Sequence, residues 1–466
     1  MKKYASLLLA LVLLSSLVLS CAPKPTATPV PPTAVPAKPT AVPAKPTEVP
    51  PTPVPPTPVP PTPVPPTPEP EPVTLTMWHA YGGATGEKFE ALVTEFNETH
   101  PYITIEPSYG GTLWTMRDKL LTAIAGDAGP DICQIDQFWC PELAEADSIV
   151  KMWDFIEADA GFDPEDVHEK AWETGTYQGE VWTMPFSMSN VVLYYNKDMF
   201  KAAGLDPEKA PATWDELVEY AQALTKDTDG DGTPDEWGLS LVLTANFGCV
   251  YNWIAFLWQA GGELFNEDFT KSTFNGPAGV EATQFWVDLV HKYKVMPLAP
   301  PQKGFENDLI AMTLASTSGL GSRLASLGPE KLGVAFMPKG KEYATGVGGA
   351  NLAIFKSSPD YDASYEFVKW MTSPEINLRW SKSTGYLPLR ESVVTSDDYQ
   401  AYLKSEPRAQ VIIDQMPYAI VRPNILAYAP GSREMGLAVE EAVFGNLDPQ
   451  TVLDAAAEKV DAMLAQ

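Results

Sequence analysis

The sequence contains few histidines and cysteines, and it lacks the short motifs that usually mark a catalytic centre. Four residues of each type occur among 466. No G-x-S-x-G elbow, HExxH zinc motif or phosphate-binding loop is present. Basic residues are also scarce, with 32 Lys and Arg against 60 Asp and Glu, a net charge of −28. A chain this acidic would repel a phosphate backbone, so we expect no nucleic-acid partner.

Proline is abundant, but half of it lies in one segment. Of 46 prolines, 23 fall within residues 22–72, where VPPTP occurs four times from Val49 to Pro68. Dense proline removes backbone donors, and large apolar side chains are almost absent there, so this segment cannot build a core. We expect a polyproline II tether at roughly 3.1 Å per residue, on the order of 150 Å if fully extended. Docking of its PxxP motifs to a partner domain is the alternative.

The N-terminus predicts an export signal followed by a lipid anchor. A basic start, Met1-Lys2-Lys3, precedes an apolar run from Ala5 to Ser20 that is short for a membrane span. The sequence VLSC ending at Cys21 resembles a bacterial lipobox, in which the cysteine thiol takes a diacylglycerol. We therefore predict a signal peptide over 1–20, a lipidated Cys21 and a tether over 21–72. A plain signal peptide or a signal anchor is the alternative.

Three cysteines remain if Cys21 is lipidated. Cys133, Cys140 and Cys249 are an odd set, so at most one disulfide can form. Their spacing fits neither a CxxC redox pair nor a zinc site. Because all three lie among apolar residues, we expect buried thiols.

The body alternates predicted strands and helices. Period-two or continuous apolar patterns predict strands at 73–77, 102–105, 131–135, 191–195 and 352–355. Helical periodicity separates them, and Thr213-Trp-Asp-Glu216 is a capping box at the start of one helix. The β-α-β-α-β order predicts an α/β fold with a largely parallel sheet. A last helix is expected near Pro449 to Leu464.

Ordered segments of the body resemble a known family. They include LTMWHAYGGATGEKFEALVTEFNETHP (75–101), AGPDICQID (128–136), PFSMSNVVLYYNKDMF (185–200), GGANLAIF (348–355) and TGYLPLR (384–390). They resemble the extracellular solute-binding proteins of ABC importers, family 1, and within it the glycerol-3-phosphate-binding branch. The resemblance runs in order across residues 73–466.

That resemblance implies a type II periplasmic-binding-protein-like fold. Two α/β lobes, joined by hinge strands, would hold the ligand in the cleft between them. Lobe one is expected to use 73–185 plus 346–392, and lobe two 186–345 plus 393–466. The implied function is extracytoplasmic capture of a carbohydrate or a polyol phosphate for the transmembrane subunits of an ABC permease. No catalysis and no required cofactor are implied.

Matching positions give candidate ligand-binding residues. These are Trp114, Gln137, Ser189, Trp253, Ser316, Gly349, Tyr386 and Arg433. Trp114 and Gln137 stand where the branch has a tyrosine and a glutamate, with Asp136 adjacent to Gln137, and these departures suit a neutral sugar as well as a phosphate. Packing roles are the alternatives for the aromatic residues, as is a turn role for Ser189. His79, after the first strand, is either a ligand contact or a solvated turn residue.

A separate loop has the spacing of an EF-hand-like calcium site. Carboxylates stand at loop positions 1, 3, 5 and 9, with a glycine at position 6. The candidate ligands are Asp227, Asp229, Asp231, Thr233, Asp235 and Glu236. Position 12 is Gly238 rather than the usual glutamate. A structural calcium ion is the functional interpretation, and a polar turn after a helix is the alternative.

Two other functions fit the extracellular placement. A secreted carbohydrate-active enzyme would use a carboxylate pair, but 60 acidic residues make such pairs uninformative. A surface adhesion protein would explain the tether but not the ordered segments. We therefore predict a lipid-anchored substrate-binding protein.

Overall fold

The computed structural model of the protein describes residues 71–466. The strands are β1 Val73–His79, β2 Ile103–Tyr109, β3 Ile132–Asp136, β4 Thr176–Tyr177, β5 Glu180–Val181, β6 Met184–Ser189, β7 Val191–Asn196, β8 Trp237–Ser240, β9 Ile310–Ser316, β10 Leu332–Ala335, β11 Thr345–Ile354 and β12 Ala419–Val421. The predicted signal peptide, Cys21 and the tether up to residue 70 lie outside the described residues.

Helices cover both sheets. They are α1 Gly83–Thr99, α2 Leu113–Ala125, α3 Cys140–Glu145, α4 Met152–Ala158, α5 Glu169–Gly175, α6 Lys197–Ala202, α7 Trp214–Leu224, α8 Phe247–Gln259, α9 Pro277–His291, α10 Leu320–Leu327, α11 Tyr361–Met371, α12 Pro374–Thr384, α13 Glu391–Thr395, α14 Asp397–Ser405, α15 Pro407–Asp414, α16 Tyr428–Gly445 and α17 Pro449–Leu464. Within residues 71–466, no helix is both long and apolar enough to cross a bilayer.

The first sheet contains six strands. Its order is β12-β11-β3-β1-β2, and β6 also pairs with β11. β1 runs parallel to β2 and to β3, as the β-α-β-α-β pattern predicts. β11 runs antiparallel to both β3 and β6, so the sheet is mixed rather than largely parallel.

The second sheet has the order β10-β7-β9-β8. β8 and β9 are parallel, whereas β7 is antiparallel to both of its neighbours. β6 and β7 are separated only by Asn190 and belong to different sheets. β12 lies in the segment expected for lobe two, yet it pairs with β11 in the first sheet. The chain therefore passes between the sheets several times.

Local sequence signals explain several helix boundaries. The predicted capping box is confirmed, because the Thr213 side chain accepts from the amide of Glu216 at 3.2 Å. The Glu216 carboxylate in turn accepts from the amide of Ala212 at 2.7 Å. The last helix, α17, begins at Pro449 as expected, with Asp448 as its N-cap.

The core is rich in large aromatic side chains. α8 is apolar on nearly all faces, buries 11 of its 13 residues and packs against β11 of the first sheet, α9 and α16. Cys133, Cys140 and Cys249 are buried free thiols, as the sequence predicts. Burial raises the pKa of Cys140 and Cys249 to about 12, so both are protonated at neutral pH.

Candidate functional site

A cavity of about 240 Å³ lies beside the carboxyl ends of β1, β3 and β9, against β11 and the start of α8. We call it the central cavity. Its lining residues are Ala80, Tyr81, Leu113, Gln134, Asp136, Ser189, Phe247, Gly248, Tyr251, Ser316, Ser318, Gly348, Gly349, Ala350, Tyr386 and Arg422. They come from segments far apart in the chain and from both sheets. Such a concave mixture of aromatic and polar groups is typical of a small-molecule site.

The two charged residues in this lining form a buried ion pair. Nη2 of Arg422 lies 2.9 Å from Oδ1 of Asp136, and both side chains are at most 5% exposed. Asp136 ends β3, and Arg422 directly follows β12. The two charges compensate each other. Without its partner, either buried charge would destabilise the folded state by several kcal/mol. Together they offer a ligand both hydrogen-bond donors and acceptors.

Neighbouring groups hold Arg422 in place. Its Nε donates to the carbonyl of Val347 at 3.2 Å. Its guanidinium carbon lies 4.6 Å from the ring centre of Phe138 and 5.4 Å from that of Tyr251. Burial raises the pKa of Asp136 above its ordinary value, and the charge of Arg422 opposes this shift.

Two tyrosines form part of an aromatic wall. The Tyr386 ring stacks on Trp380, with ring centres 5.8 Å apart and planes inclined by 11°. The Tyr81 hydroxyl lies 2.9 Å from Oγ of Ser187, and its ring meets that of Tyr386 edge to face. Burial raises the pKa of Tyr386 to about 12, so its hydroxyl can donate at neutral pH. Aromatic faces of this kind suit the C–H surfaces of a sugar ring.

Hydroxyl groups lie at the junction of the two sheets. Ser189 ends β6, and Ser316 ends β9. Oγ of Ser316 lies 2.9 Å from Oγ of Ser318, and the Tyr251 hydroxyl donates to the Ser189 carbonyl at 3.3 Å. The central cavity therefore presents several groups that can bond to ligand hydroxyls.

Glycines on β11 permit close approach of other elements. Gly349 has φ +142°, and a Cβ there would lie 1.9 Å from the carbonyl oxygen of Ser187 on β6. A Cβ on Gly348 would lie 2.8 Å from the Tyr251 hydroxyl. Packing of β11 against β6 therefore requires a glycine at position 349, which is also one of the predicted ligand-binding candidates.

Four of the eight predicted ligand residues line the central cavity. They are Ser189, Ser316, Gly349 and Tyr386. Trp114 instead stacks on the cavity residue Phe247, with ring centres 3.6 Å apart and planes 7° apart. Gln137 is buried, and its Nε2 donates to the carbonyl of Val347 at 3.1 Å.

The other two candidates lie elsewhere. Trp253 is fully buried in α8, and its Nε1 donates to Oγ1 of Thr283 at 3.0 Å. This is the packing role that the sequence left open. Arg433 is an exposed residue of α16 and does not line the central cavity.

Sequence reasoning missed the residues that complete the lining. Arg422, Tyr251, Tyr81 and Ser318 were not candidates, and Asp136 was noted only as a neighbour of Gln137. One signal was available for Arg422, a lone cation next to the short apolar run Ala-Ile-Val at 419–421. Its pairing with Asp136 depends on tertiary structure and leaves no local pattern.

His79 is buried behind this wall and does not line it. Its Nε2 lies 3.4 Å from a carboxylate oxygen of Glu90, and its ring packs against Phe89 at 4.8 Å between centres. Burial lowers the pKa of His79, although Glu90 opposes the shift. Neither sequence-based alternative, a ligand contact or a solvated turn residue, describes this position.

The acidic loop brings three carboxylates together. One oxygen each from Asp227, Asp229 and Asp235 lies within 4.8 Å of the others, and all three residues are exposed. The other two acidic candidates lie outside this group: Glu236 pairs with Lys226 at 3.2 Å, and Asp231 accepts from the amide of Thr233 at 2.7 Å.

Local hydrogen bonds already occupy several of these oxygens. Asp227 accepts from the amides of Gly230 and Gly232 at 2.7 and 2.8 Å. Asp235 accepts from the amide of Thr228 at 2.8 Å and from its hydroxyl, and these bonds lower its pKa. The geometry is compatible with a cation and equally with a polar turn.

A mixed α/β body with a concave site lined by aromatic rings and hydroxyl groups has the features of a small-molecule binding protein. The chain belongs to the bacterial extracellular solute-binding protein family, whose model matches residues 91–406. The predicted family membership is thereby confirmed. Proteins of this family bind solutes rather than transform them.

Curated relatives and solved structures agree with this assignment. The sn-glycerol-3-phosphate-binding periplasmic protein UgpB of Pectobacterium atrosepticum is 28% identical over 409 residues, covering 84% of this chain and 91% of the relative. An ABC transporter solute-binding protein of Thermotoga lettingae, solved with α-D-tagatose, has a TM-score of 0.76 at 28% identity, covering 84% of this chain and 99% of that one. The cyclic α-maltosyl-1,6-maltose binding protein of Arthrobacter globiformis has a TM-score of 0.70 at 32% identity, with the same coverage.

The type II periplasmic-binding-protein fold is confirmed by these neighbours. The family and its relatives also give the chain a substrate-binding role for an importer.

Proposed function

We propose that this protein captures a carbohydrate or a glycerol-phosphate-like ligand in the central cavity and delivers it to an ABC permease. The observation that carries the proposal is the Asp136–Arg422 pair, set among hydroxyls and aromatic rings at the junction of two sheets. Tyr386 and Tyr81 provide faces for C–H surfaces, while the pair and the serines bond to hydroxyl or phosphate oxygens.

The single carboxylate in the lining favours binding over hydrolysis. A glycosidase needs two carboxyl groups flanking the scissile bond. Among the described residues that line the central cavity, Asp136 is the one acidic side chain, and it is paired with Arg422. This arrangement supports the receptor role over the alternative of a secreted carbohydrate-active enzyme.

Lobe closure accompanies capture in this proposal. The proposed lobes are 73–185 plus 346–392 and 186–345 plus 393–466. β6 continues into β7 through Asn190, and β11 contacts both sheets, so these strands are the hinge candidates. Closure around the ligand would present one surface to the transmembrane subunits.

A thermal-shift panel tests the ligand class. The full-length protein is heated with neutral monosaccharides, disaccharides, glycerol 3-phosphate and glycerophosphocholine at increasing concentrations. The proposal expects at least one compound to raise the melting temperature in a saturable manner, because a ligand that binds the native state stabilises it. No response to any of these compounds would reject the carbohydrate or polyol phosphate class.

The lipid anchor is a further part of the proposal. VLSC at the end of the apolar run supports acylation of Cys21, and the proline-rich segment after it would hold the body away from the membrane. The variant Cys21→Ser is expected to appear in the soluble extracytoplasmic fraction, whereas the unmodified chain stays with the membranes. Equal membrane retention of both would contradict the anchor.

A structural calcium ion in the acidic loop is also proposed. Convergence of Asp227, Asp229 and Asp235 within 4.8 Å supports it, because calcium prefers several hard oxygen ligands. The ion would stabilise the connection between α7 and β8 and would take no part in ligand capture.

A further inference from the structure

A second concave site lies beyond the carboxyl end of β8. This outer pocket has a volume of about 330 Å³. Phe305, Ile310 and Leu241 supply apolar surface, and Ser240, Thr313 and Arg323 supply polar groups. The function proposed above makes no use of it.

Arg323 is held in a defined position. Its guanidinium carbon lies 4.4 Å from the ring centre of Tyr194. A Cβ on Gly319 would lie 1.8 Å from Nη1 of Arg323, so the guanidinium packs closely over the backbone of Gly319. Stacking and close packing reduce the freedom of this side chain, as a preorganised binding group requires.

The guanidinium nevertheless lacks an anionic partner. Within residues 71–466, Arg323 makes no hydrogen bond or ion pair, and its Nε is shielded from solvent. Five other arginines each pair with a carboxylate, namely Arg117, Arg379, Arg390, Arg408 and Arg422. In a chain with net charge −28, acidic side chains are abundant, so an unpaired and partly buried guanidinium is unusual.

The surroundings of Arg323 favour an anion. Lys303 also lines the outer pocket, and Glu306 is the one acidic residue among its described lining, so the lining carries a net positive charge. Oγ of Ser240 lies 3.3 Å from Oγ1 of Thr313, which places two hydroxyls together at the same wall. Guanidinium, ammonium and hydroxyl groups are the usual partners of carboxylate, sulfate and phosphate oxygens.

Two segments of the chain contribute residues to both the outer pocket and the central cavity. The segment after β8 contributes Thr244 to the outer pocket and Phe247 to the central cavity. The segment from β9 into α10 contributes Thr313 and Arg323 to the outer pocket, and Ser316 and Ser318 to the central cavity. The same two segments thus contribute to both sites. The sites are also close in space, because the Tyr194 ring stacks on Arg323 while its hydroxyl donates to the carbonyl of the cavity residue Ser316 at 3.1 Å.

We propose that the outer pocket is an anion subsite in which Arg323 binds a carboxylate, sulfate or phosphate group of the captured ligand. This inference rests on the proposed function, and it narrows the ligand to an acidic saccharide or a phosphorylated one. The neutral part of the ligand occupies the central cavity, and the anionic group reaches Arg323.

Titration calorimetry with inorganic phosphate tests the subsite directly. The full-length protein is expected to bind phosphate saturably, and Arg323→Gln to weaken that binding by about tenfold or more. Arg323→Lys keeps the charge and should retain most of the affinity, which separates lost charge from lost packing on Tyr194. Arg379→Gln, an exposed arginine of α12 paired with Glu95, should bind like the unmodified chain. Circular dichroism confirms that each variant is folded.

Sugars distinguish the source of the anion. Glucuronate and glucose 6-phosphate are compared with glucose; the one that carries the preferred anion should bind about tenfold more tightly than glucose, and Arg323→Gln should remove that advantage. Tighter binding of glucuronate would identify the anion as a carboxylate, and tighter binding of glucose 6-phosphate would identify it as a phosphate.

Three outcomes would overturn the subsite. The first is the absence of saturable phosphate binding. The second is equal phosphate affinity in Arg323→Gln and the unmodified chain. The third is loss of phosphate binding in Arg422→Gln while Arg323→Gln retains it. A protein that binds neutral sugar but not phosphate refutes the subsite and leaves the proposed function standing. A protein that binds phosphate through Arg323 but binds neither a saccharide nor a polyol phosphate refutes the proposed function and leaves the anion site.

Discussion

Asp136 and Arg422 are separated by 286 residues in sequence, yet their side chains meet at 2.9 Å inside the central cavity. The contact joins the end of β3 to the residue after β12, so it ties an early segment of the chain to a late one. Because both groups are buried, each depends on the other for its charged state. The pair is therefore both a structural link and the most polar feature of the site.

Removing one partner of this pair is expected to destabilise the protein strongly. Asp136→Asn should lower the free energy of unfolding by about 3 kcal/mol or more, because it leaves the Arg422 charge buried without compensation. Urea unfolding followed by circular dichroism measures the change. Glu95→Gln breaks the exposed pair with Arg379 as a control and should cost at most about 1 kcal/mol. Equal costs for the two variants would contradict the buried, mutually dependent pair.

Gly349 is expected to tolerate no side chain. Gly349→Ala should cost about 2 kcal/mol or more, because its Cβ would clash with the Ser187 carbonyl at a positive φ. The matched control is Gly179→Ala, which also has a positive φ, +79°, but no atom within 4 Å of the added Cβ. Gly179→Ala should lower the free energy of unfolding by about 1 kcal/mol. If both variants unfold at the same urea concentration, the close approach of β6 and β11 is not the constraint.

Much of this fold can be predicted from the sequence. The parallel β1, β2 and β3, the capping box at Thr213 and the helix from Pro449 all follow from local periodicity and capping chemistry. The antiparallel placement of β11 cannot be predicted in this way. Gly346, Gly348 and Gly349 give no indication of whether the strand runs parallel or antiparallel to its neighbours. Its neighbours are fixed by long-range packing against β3 and β6.

His79 gives the stability a specific pH dependence. Burial lowers its pKa, so the native state holds it neutral, while the unfolded chain protonates it near 6.5. The unfolded state then binds more protons, and stability falls as pH drops below about 6.5 toward the native pKa. His79→Gln should flatten this part of the stability curve below about pH 6.5, measured by urea midpoints.

A control separates His79 from general acid effects. His100→Gln alters a half-buried histidine at the end of α1 and should leave the acid-dependent loss in place. The same slope in His79→Gln as in the unmodified chain would show that other groups cause the loss.

The acidic loop predicts a calcium-dependent stability. Adding calcium to chelator-treated protein should raise the melting temperature, because the ion binds the folded loop. Asp229→Asn, which weakens the cluster of three carboxylates, should reduce this increase, whereas Asp268→Asn at an exposed site outside the cluster should not. An unchanged melting temperature with and without calcium would identify the loop as a polar turn.

The binding site is less predictable than the fold for a physical reason. Ser189, Ser316, Gly349 and Tyr386 stand within recognisable segments, and all four line the central cavity. Arg422 follows a three-residue strand and belongs to no recognisable segment, whereas the family resemblance selects the nearby Arg433. Only the pairing of β12 with β11 places Arg422 in the cavity and leaves Arg433 on an exposed helix face.

Calorimetric titration of Arg422→Gln and Arg433→Gln most directly tests the claim that the ligand is captured in the central cavity. A saccharide or polyol phosphate that stabilises the full-length protein should bind one to one and be recovered unchanged. Arg422→Gln should weaken this binding by about tenfold or more, because a charge-assisted hydrogen bond is lost. Arg433→Gln should leave it unaltered. Loss of binding in Arg433→Gln with full binding in Arg422→Gln, or conversion of the ligand during the titration, would contradict capture in the central cavity.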